Sequence, residues 1–239
     1  MELISSLKST IKEKTAKLWY RQSTYSQSGE DIILYFLLTN ILKLTHFNYL
    51  DIGAHHPYRI SNTALFYQNG CCGINVEPNP DLYKNFVKSR PRDINLNIGV
   101  GDESGNLDFY IMQDCALSTF SKYESEKLVA DGHNIIKKIS VPVESLLAII
   151  EKYAKGKFPT VLLVDAEGVE DKIISGLEST KQRPIVICIE TLEYKMDGSG
   201  VKNNALIEKI KKFGFTIYAD TYINTIFVSK EHWPYAITL

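Results

Sequence analysis

An α/β fold with a mostly parallel central sheet that finishes in an antiparallel hairpin is the architecture the sequence predicts, on three observations. Short β-branched runs alternate with helical stretches from residue 29 to residue 213, the rhythm of βαβ units. One run, Thr160-Val-Leu-Leu-Val-Asp165, is apolar without alternation, as a strand buried on both faces must be, and so belongs at the sheet centre. The last two runs, 215–219 and 223–228, are separated only by Asp220, Thr221 and Tyr222, too few residues for a crossover helix, so they pair antiparallel.

In chain order, residues 3–21 set Leu3, Ile4, Leu7, Ile11, Leu18 and Trp19 along a helical stripe ringed by Lys8, Lys12, Lys14, Lys17 and Arg21. This basic amphipathic helix is read as an appendage, residues 1–24, to a single domain, residues 25–239. It would cover the domain or a second subunit, with weak peripheral attachment to a membrane surface as the minority alternative. A helix over 29–44, a strand over 47–51, a helix over 63–69 and a strand over 73–77 follow. Next come a helix over 81–89, a strand over 94–100 and an added hairpin strand over 107–112. After a short extended piece at 141–143 and a helix over 144–153, the central strand leads into a helix over 169–177. A strand over 184–190 and a helix over 203–213 precede the closing hairpin. A parallel sheet ending in an antiparallel hairpin is the arrangement of Rossmann-like class I methyltransferases, which offers a fold-level analogy.

A chain of 239 residues with 44% hydrophobic content buries one substantial core. Its 27 Lys and Arg nearly cancel 28 Asp and Glu, so no global field gathers nucleic acid or an anionic membrane, and a small or neutral partner is expected. The longest largely apolar stretch, 32–44, is about half a membrane span, and the N-terminus lacks a signal peptide's apolar core. Cys71, Cys72, Cys115 and Cys188 follow neither a C-x-x-C nor a zinc spacing, and are read as buried, reduced thiols of a cytoplasmic protein.

Ligands of open parallel sheets lie beyond the carboxyl ends of the strands, where strand order reverses. The strand ends here are Asp51 with Gly53, Glu77, Val100 with Gly101, Asp165 with Glu167 and Gly168, and Glu190. Gly53 lets backbone approach a ligand closely, yet the three-glycine cradle of a dinucleotide pyrophosphate is missing. A phosphate-free ligand carrying a positive sulfonium fits better. Glu77, 26 residues after Asp51, is placed to accept both hydroxyls of a ribose, or else caps the Pro78-Asn-Pro80 turn. Asp165 orients a ligand, acts as a base, or caps the following helix.

Several motifs, jointly rather than singly, show that the chain resembles the FkbM-type S-adenosylmethionine-dependent methyltransferases. They are Ser26-Gln-Ser-Gly-Glu-Asp31, Leu50-Asp-Ile-Gly-Ala-His-His-Pro57 with Ser61-Asn-Thr63, Gly73-Ile-Asn-Val-Glu-Pro-Asn-Pro80 and Asn95-Leu-Asn-Ile-Gly-Val-Gly101. Leu117-Ser-Thr119, Val141-Pro-Val143, Val164-Asp-Ala-Glu-Gly168 and Arg183-Pro184 continue the series, with Ala166 where the family usually has valine. The resemblance implies S-adenosyl-L-methionine held by Gln27, Glu30, Asp51, Gly53, Glu77, Gly101 and Asp165. It also implies O-methyl transfer to sugar hydroxyls of surface glycans or to polyketide hydroxyls.

Methyl transfer is an in-line displacement, so the protein aligns the nucleophile and removes its proton. His55, Asp165 and Glu190 are the expected catalytic residues, with His56 a further candidate base. Asp165 and Glu190 end adjacent strands and could share a divalent ion, but without a third ligand no metal is expected. Residues 113–133 and 193–203 are read as covers of the acceptor pocket, with Tyr123, His133, Tyr194 and Lys195 in its wall. The competing readings are a non-catalytic cofactor-binding scaffold and, lower, an NAD-dependent oxidoreductase. Oligomeric state stays open.

Overall fold

The computed structural model describes residues 23–193 and 200–235, so the expected N-terminal helix and the wall residues Tyr194 and Lys195 lie outside the described residues. The first element is α1 (Glu30–Phe36), which widens into a π-turn at Leu37–Ile41 and stops short of the helix end expected at residue 44. Then follow β1 (Asn48–Ile52), α2 (Ala64–Gln68), β2 (Cys72–Val76), α3 (Pro80–Ser89) and β3 (Ile94–Leu96). The start of α3 has a local cause: Asn79 accepts from the Asp81 N–H and Pro80 needs no partner at the first helical position.

An insertion comes next, built of β4 (Gly99–Gly101), β5 (Gly105–Met112), a single 3-10 turn at Cys115–Leu117, α4 (Lys122–Ala130) and β6 (Ile135–Ser145). The chain then forms α5 (Leu146–Tyr153), β7 (Val161–Val164), α6 (Glu170–Ser175) and β8 (Val186–Glu190). A small antiparallel pair, β9 (Leu192–Glu193) with β10 (Val201–Lys202), precedes α7 (Asn204–Lys212), β11 (Phe215–Asp220) and β12 (Asn224–Ser229).

Seven strands form the main sheet in the order β11-β12-β8-β7-β1-β2-β3. β7 is its fourth strand and all four of its residues are buried, as its unbroken apolar run requires. β1, β2, β3, β7 and β8 are parallel, β12 runs antiparallel to β8, and β11 pairs antiparallel with β12. Successive residues point to opposite faces. Leu50, Ile52, Leu162 and Val164 therefore pack with α5, α6 and α7 through Ile149, Ile173 and Ile210. Tyr49, Val161 and Leu163 face the other way, onto Leu34, Leu37 and Phe66.

Three local expectations are corrected. The strand expected over 94–100 is two strands: β3 stays in the main sheet, while β4 leaves it to pair in parallel with β6. The short piece at 141–143 is part of an eleven-residue β6, antiparallel to β5. Ile135–Lys138, its first four residues, are exposed, so in that half backbone pairing defines the strand and hydrophobic periodicity has nothing to report, whereas further on Val141 packs with Phe109 and Ile111. All four cysteines are free, but only Cys188 is buried; Cys71 and Cys115 are half-buried and Cys72 is exposed at the first residue of β2. Among the described residues no helix is long and apolar enough to cross a membrane.

Candidate active site

The chain runs outward through β1, β2 and β3, then returns to the other flank of β1 at β7. Strand order reverses at the β1–β7 seam, the place where open sheets of this kind form a crevice. The seam is tight at its carboxyl end. The Asp165 N–H donates to the Ile52 carbonyl at 3.0 Å, and the Gly53 and Ala54 N–H groups both donate to the Val76 carbonyl. Gly53 has φ +77°, and a Cβ there would lie 1.7 Å from the Asp165 carbonyl oxygen. Glycine is thus the residue the turn accepts.

A cavity of about 400 Å³ opens over this turn, within the usual range for small-ligand sites. Of the residues expected from the sequence, Gln27, Asp51, Gly53, His55, Glu77, Asp165 and Glu190 line it. Two do not. Glu30 is fully buried, with its carboxylate accepting from Thr221 Oγ1 at 2.7 Å, Asn224 Nδ2 at 3.3 Å and the Ser28 N–H at 2.8 Å. Burial alone would raise its pKa, but those bonds hold it below the ordinary value. Its place is to tie the leading segment to the closing hairpin. Gly101 also stands off the lining, and a Cβ there would make only ordinary contacts at 3.6 Å. Gly99 is the close approach, since its Cβ would fall 2.3 Å from the Phe120 ring.

Glu77 sits at the end of β2 with one carboxylate oxygen accepting from the His55 N–H at 2.8 Å and the other from the Asn79 N–H at 2.7 Å. Burial raises its pKa to about 8, against the pull of those two N–H groups. Asp51 accepts from Thr63 Oγ1 at 2.7 Å, and burial raises its pKa to about 6. His55 has φ +54°, its Nε2 lies 3.4 Å from Cys115 Sγ, and its Nδ1 is buried without a partner among the described residues. Burial lowers its pKa, which favours the neutral imidazole. His56 is occupied otherwise: its Nδ1 accepts from the Tyr58 and Arg59 N–H groups, closing the loop.

Asp165 and Glu190 do come together, and Glu167 joins them. One carboxylate oxygen from each lies within 4.8 Å of the others. Burial raises the pKa of Asp165 to about 7, and burial with mutual repulsion pushes Glu167 and Glu190 well above the ordinary carboxylate range. Carboxylates this close share protons or a cation rather than all ionising. The expectation of no metal rested on the want of a third ligand; Glu167 places a third hard oxygen donor near the other two. Its sequence signal was the Asp-Ala-Glu-Gly string itself, in which Glu167 takes φ +51° to turn back toward Asp165.

The insertion supplies the far wall. Asp114, Cys115, Leu117, Phe120 and His133 line the cavity, and Thr119 Oγ1 donates to the Glu167 carbonyl at 2.7 Å, fastening the insertion to the loop that follows β7. Tyr123 points away and is 72% exposed. A second cavity, about 270 Å³, adjoins the first and shares Leu117, Glu167 and Glu190 with it. Glu124, Asp131 and Thr191 extend its polar lining.

The methyltransferase FkbM domain family matches residues 51–217, well over half of the chain. Among curated proteins none matches. Among solved structures, the chain is similar to a TehB-like SAM-dependent methyltransferase from Corynebacterium glutamicum, at 10% identity over 95% of this chain and 100% of that one, with a TM-score of 0.42. It is similar to a precorrin-6y C5,15-methyltransferase from Geobacter metallireducens at 14% identity over 81% and 85%, with a TM-score of 0.38. The 1,6-didemethyltoxoflavin-N1-methyltransferase of Burkholderia thailandensis, solved with S-adenosylhomocysteine, shows 11% identity over 95% and 87%, with a TM-score of 0.41. At these TM-scores the likeness is too slight to bear on function.

Proposed function

The chain belongs to the methyltransferase FkbM domain family, and on that premise we propose that it transfers a methyl group from S-adenosylmethionine to a hydroxyl of a sugar or glycan. The observation that carries the reading is the Gly53 turn, pressed against the Asp165 carbonyl at the strand-order reversal and flanked by Asp51 and Glu77. These residues fit the donor. The cavity over the turn is large enough for a nucleoside, and the carboxylates around it favour a cationic ligand over a pyrophosphate.

Bound S-adenosylmethionine supplies an electrophilic methyl carbon on a sulfonium. Glu77 would accept from ribose hydroxyls, Asp51 would meet the polar end of the donor, and Gly99 with Val100 would flank the base. The acceptor would occupy the second cavity, where Glu124, Glu167 and Glu190 are placed to accept from the several hydroxyls of a sugar. The Asp165–Glu190 pair would take the proton from the attacking hydroxyl. Asp165, titrating near neutral pH, suits that work better than an ordinary carboxylate would. Neutral His55 is the remaining candidate, but Cys115 stands against its Nε2. Four free cysteines support a reducing, cytoplasmic setting.

Isothermal titration with S-adenosylhomocysteine on wild type and Glu77→Ala tests the donor site. Micromolar binding lost in the variant is expected. No heat from folded, ligand-free wild type would refute the reading. Transfer of a labelled methyl group to a panel of saccharides then tests the acceptor class, and label fixed only on nitrogen or carbon acceptors would reject the O-methyl assignment.

A further inference from the structure

Beneath the turn runs a buried polar chain of which only Asp51 reaches the cavity lining. Arg90, the residue after α3, is fully buried, with its guanidinium packed by the rings of Tyr58, Tyr67 and Phe86. Its Nη1 donates to Thr63 Oγ1 at 2.8 Å, and Thr63 Oγ1 donates in turn to Asp51 Oδ2 at 2.7 Å. Nη2 donates to Ser61 Oγ at 2.9 Å and to the Pro57 carbonyl, so one side chain holds both ends of the loop between them. Thr63 stands at the N-cap position of α2, yet its hydroxyl makes no capping bond. It is turned to Asp51 instead, giving up a contact that usually stabilises a helix start by about 1 kcal/mol. No described residue donates to Asp51 Oδ1, and Asp51 lines the donor cavity.

We infer that Thr63 and Arg90 are positioning residues: the hydrogen-bond chain Arg90 to Thr63 to Asp51 orients the Asp51 carboxylate toward the donor cavity and keeps it charged there. This rests on the proposed methyl-donor site. A hydroxyl that accepts from a cation aims its own proton away from it, so Thr63, accepting from Arg90, turns its proton to Asp51. The charged groups around Asp51 act in both directions. Arg90 favours the ionised form, while Asp93, which lies 3.9 Å from Arg90 and accepts from the Tyr49 hydroxyl, opposes it, as do Glu77 and Asp165 across the cavity. Burial already lifts Asp51 to about 6, so the chain keeps it from rising through neutral pH.

The test compares Thr63→Val, which keeps the shape and removes the hydroxyl, with Thr63→Ser, which keeps the hydroxyl. Arg90→Lys adds a test of the upstream link, and thermal melts report folding. Carboxyl-carbon NMR titration of the ligand-free protein, with the Asp51 signal assigned through Asp51→Asn, reads the chain without any donor. An Asp51 midpoint raised by roughly one to two pH units in Thr63→Val and unmoved in Thr63→Ser is expected. Equal midpoints in wild type and Thr63→Val would overturn the inference; should the valine variant not fold, Thr63→Ala is read by the same criterion. Titration with S-adenosylhomocysteine separates the two claims. A moved midpoint with no binding by wild type would retain the positioning chain and remove the donor site, whereas binding with an unmoved midpoint would do the reverse.

Discussion

Replacing Gly53 by alanine is the sharpest perturbation of the turn. The new Cβ would lie 1.7 Å from the Asp165 carbonyl oxygen and 2.8 Å from its carbon, inside the 3.0 Å that Cβ atoms do not cross. Backbone must therefore move, because no flexible side chain is in the way. An L-residue held in the left-handed region costs about 1–2 kcal/mol. Opening the seam weakens two bonds, Gly53 N–H to Val76 and Asp165 N–H to Ile52, each worth about 0.5–1.5 kcal/mol net. The sum is about 2–5 kcal/mol, or a fall in Tm of roughly 5–20 °C for a domain of this size. Because the same movement displaces the cavity floor, affinity for S-adenosylhomocysteine should fall at least about tenfold, a change of roughly 1.4 kcal/mol. Gly105→Ala is the control, since a Cβ there meets nothing within 4 Å. Thermal and urea unfolding with calorimetric titration read both effects. A Gly53→Ala protein that melts and binds like wild type would show that the close approach does not exist.

Three further outcomes are expected. Hydroxyl donors at Glu77 favour its ionised form, so below pH 8 binding must release its proton; affinity for S-adenosylhomocysteine should rise from pH 6.5 to 8.5, by up to about tenfold per unit, and Glu77→Gln should flatten that slope. A profile that falls with pH would reverse the assignment. Asp165→Asn and Glu190→Gln should each lower kcat for methyl transfer by about 10²-fold or more while binding of S-adenosylhomocysteine survives in at least one of them; unchanged turnover in both would exclude the pair as base. For stability the sign is opposite to that for binding. Glu77 and Asp165 hold protons in the folded chain that the unfolded chain has already lost by pH 6.5, so the ligand-free protein should lose about 2–3 kcal/mol between pH 6.5 and 8.5. Urea midpoints flat across that range would contradict the burial of these carboxylates.

Most of the main sheet was legible because each strand had to satisfy a local rule. β7 had to be apolar throughout to lie between β1 and β8, and the three residues between β11 and β12 forbade a crossover. The strand-end carboxylates were legible for a similar reason, since a parallel sheet puts every strand's carboxyl end on one rim. The insertion was legible only in part: the hairpin strand expected over 107–112 is β5, while the full length of β6 and the partner of β4 were not foreseen. Exposed ribbon residues carry no burial signal, and the departure of β4 to pair with β6 is a long-range contact with no trace in its own three residues.

At the site, sequence alone determined that Asp51, Gly53, Glu77, Asp165 and Glu190 would meet, because strand parity and chain direction bring them to the same seam. It could not determine which carboxylates are close enough to share a proton. Glu167 joins Asp165 and Glu190 only through the left-handed turn at its own backbone, and Glu30 is drawn off the cavity by Thr221 and Asn224, nearly two hundred residues away. Tertiary structure also decided which glycine matters, with Gly99 under Phe120 rather than Gly101, and that Thr63 serves Asp51 instead of its helix. Periodicity and the succession of elements along the chain are properties of consecutive residues and can be read from them. The charge state and reach of a side chain depend on whatever the rest of the chain packs against it.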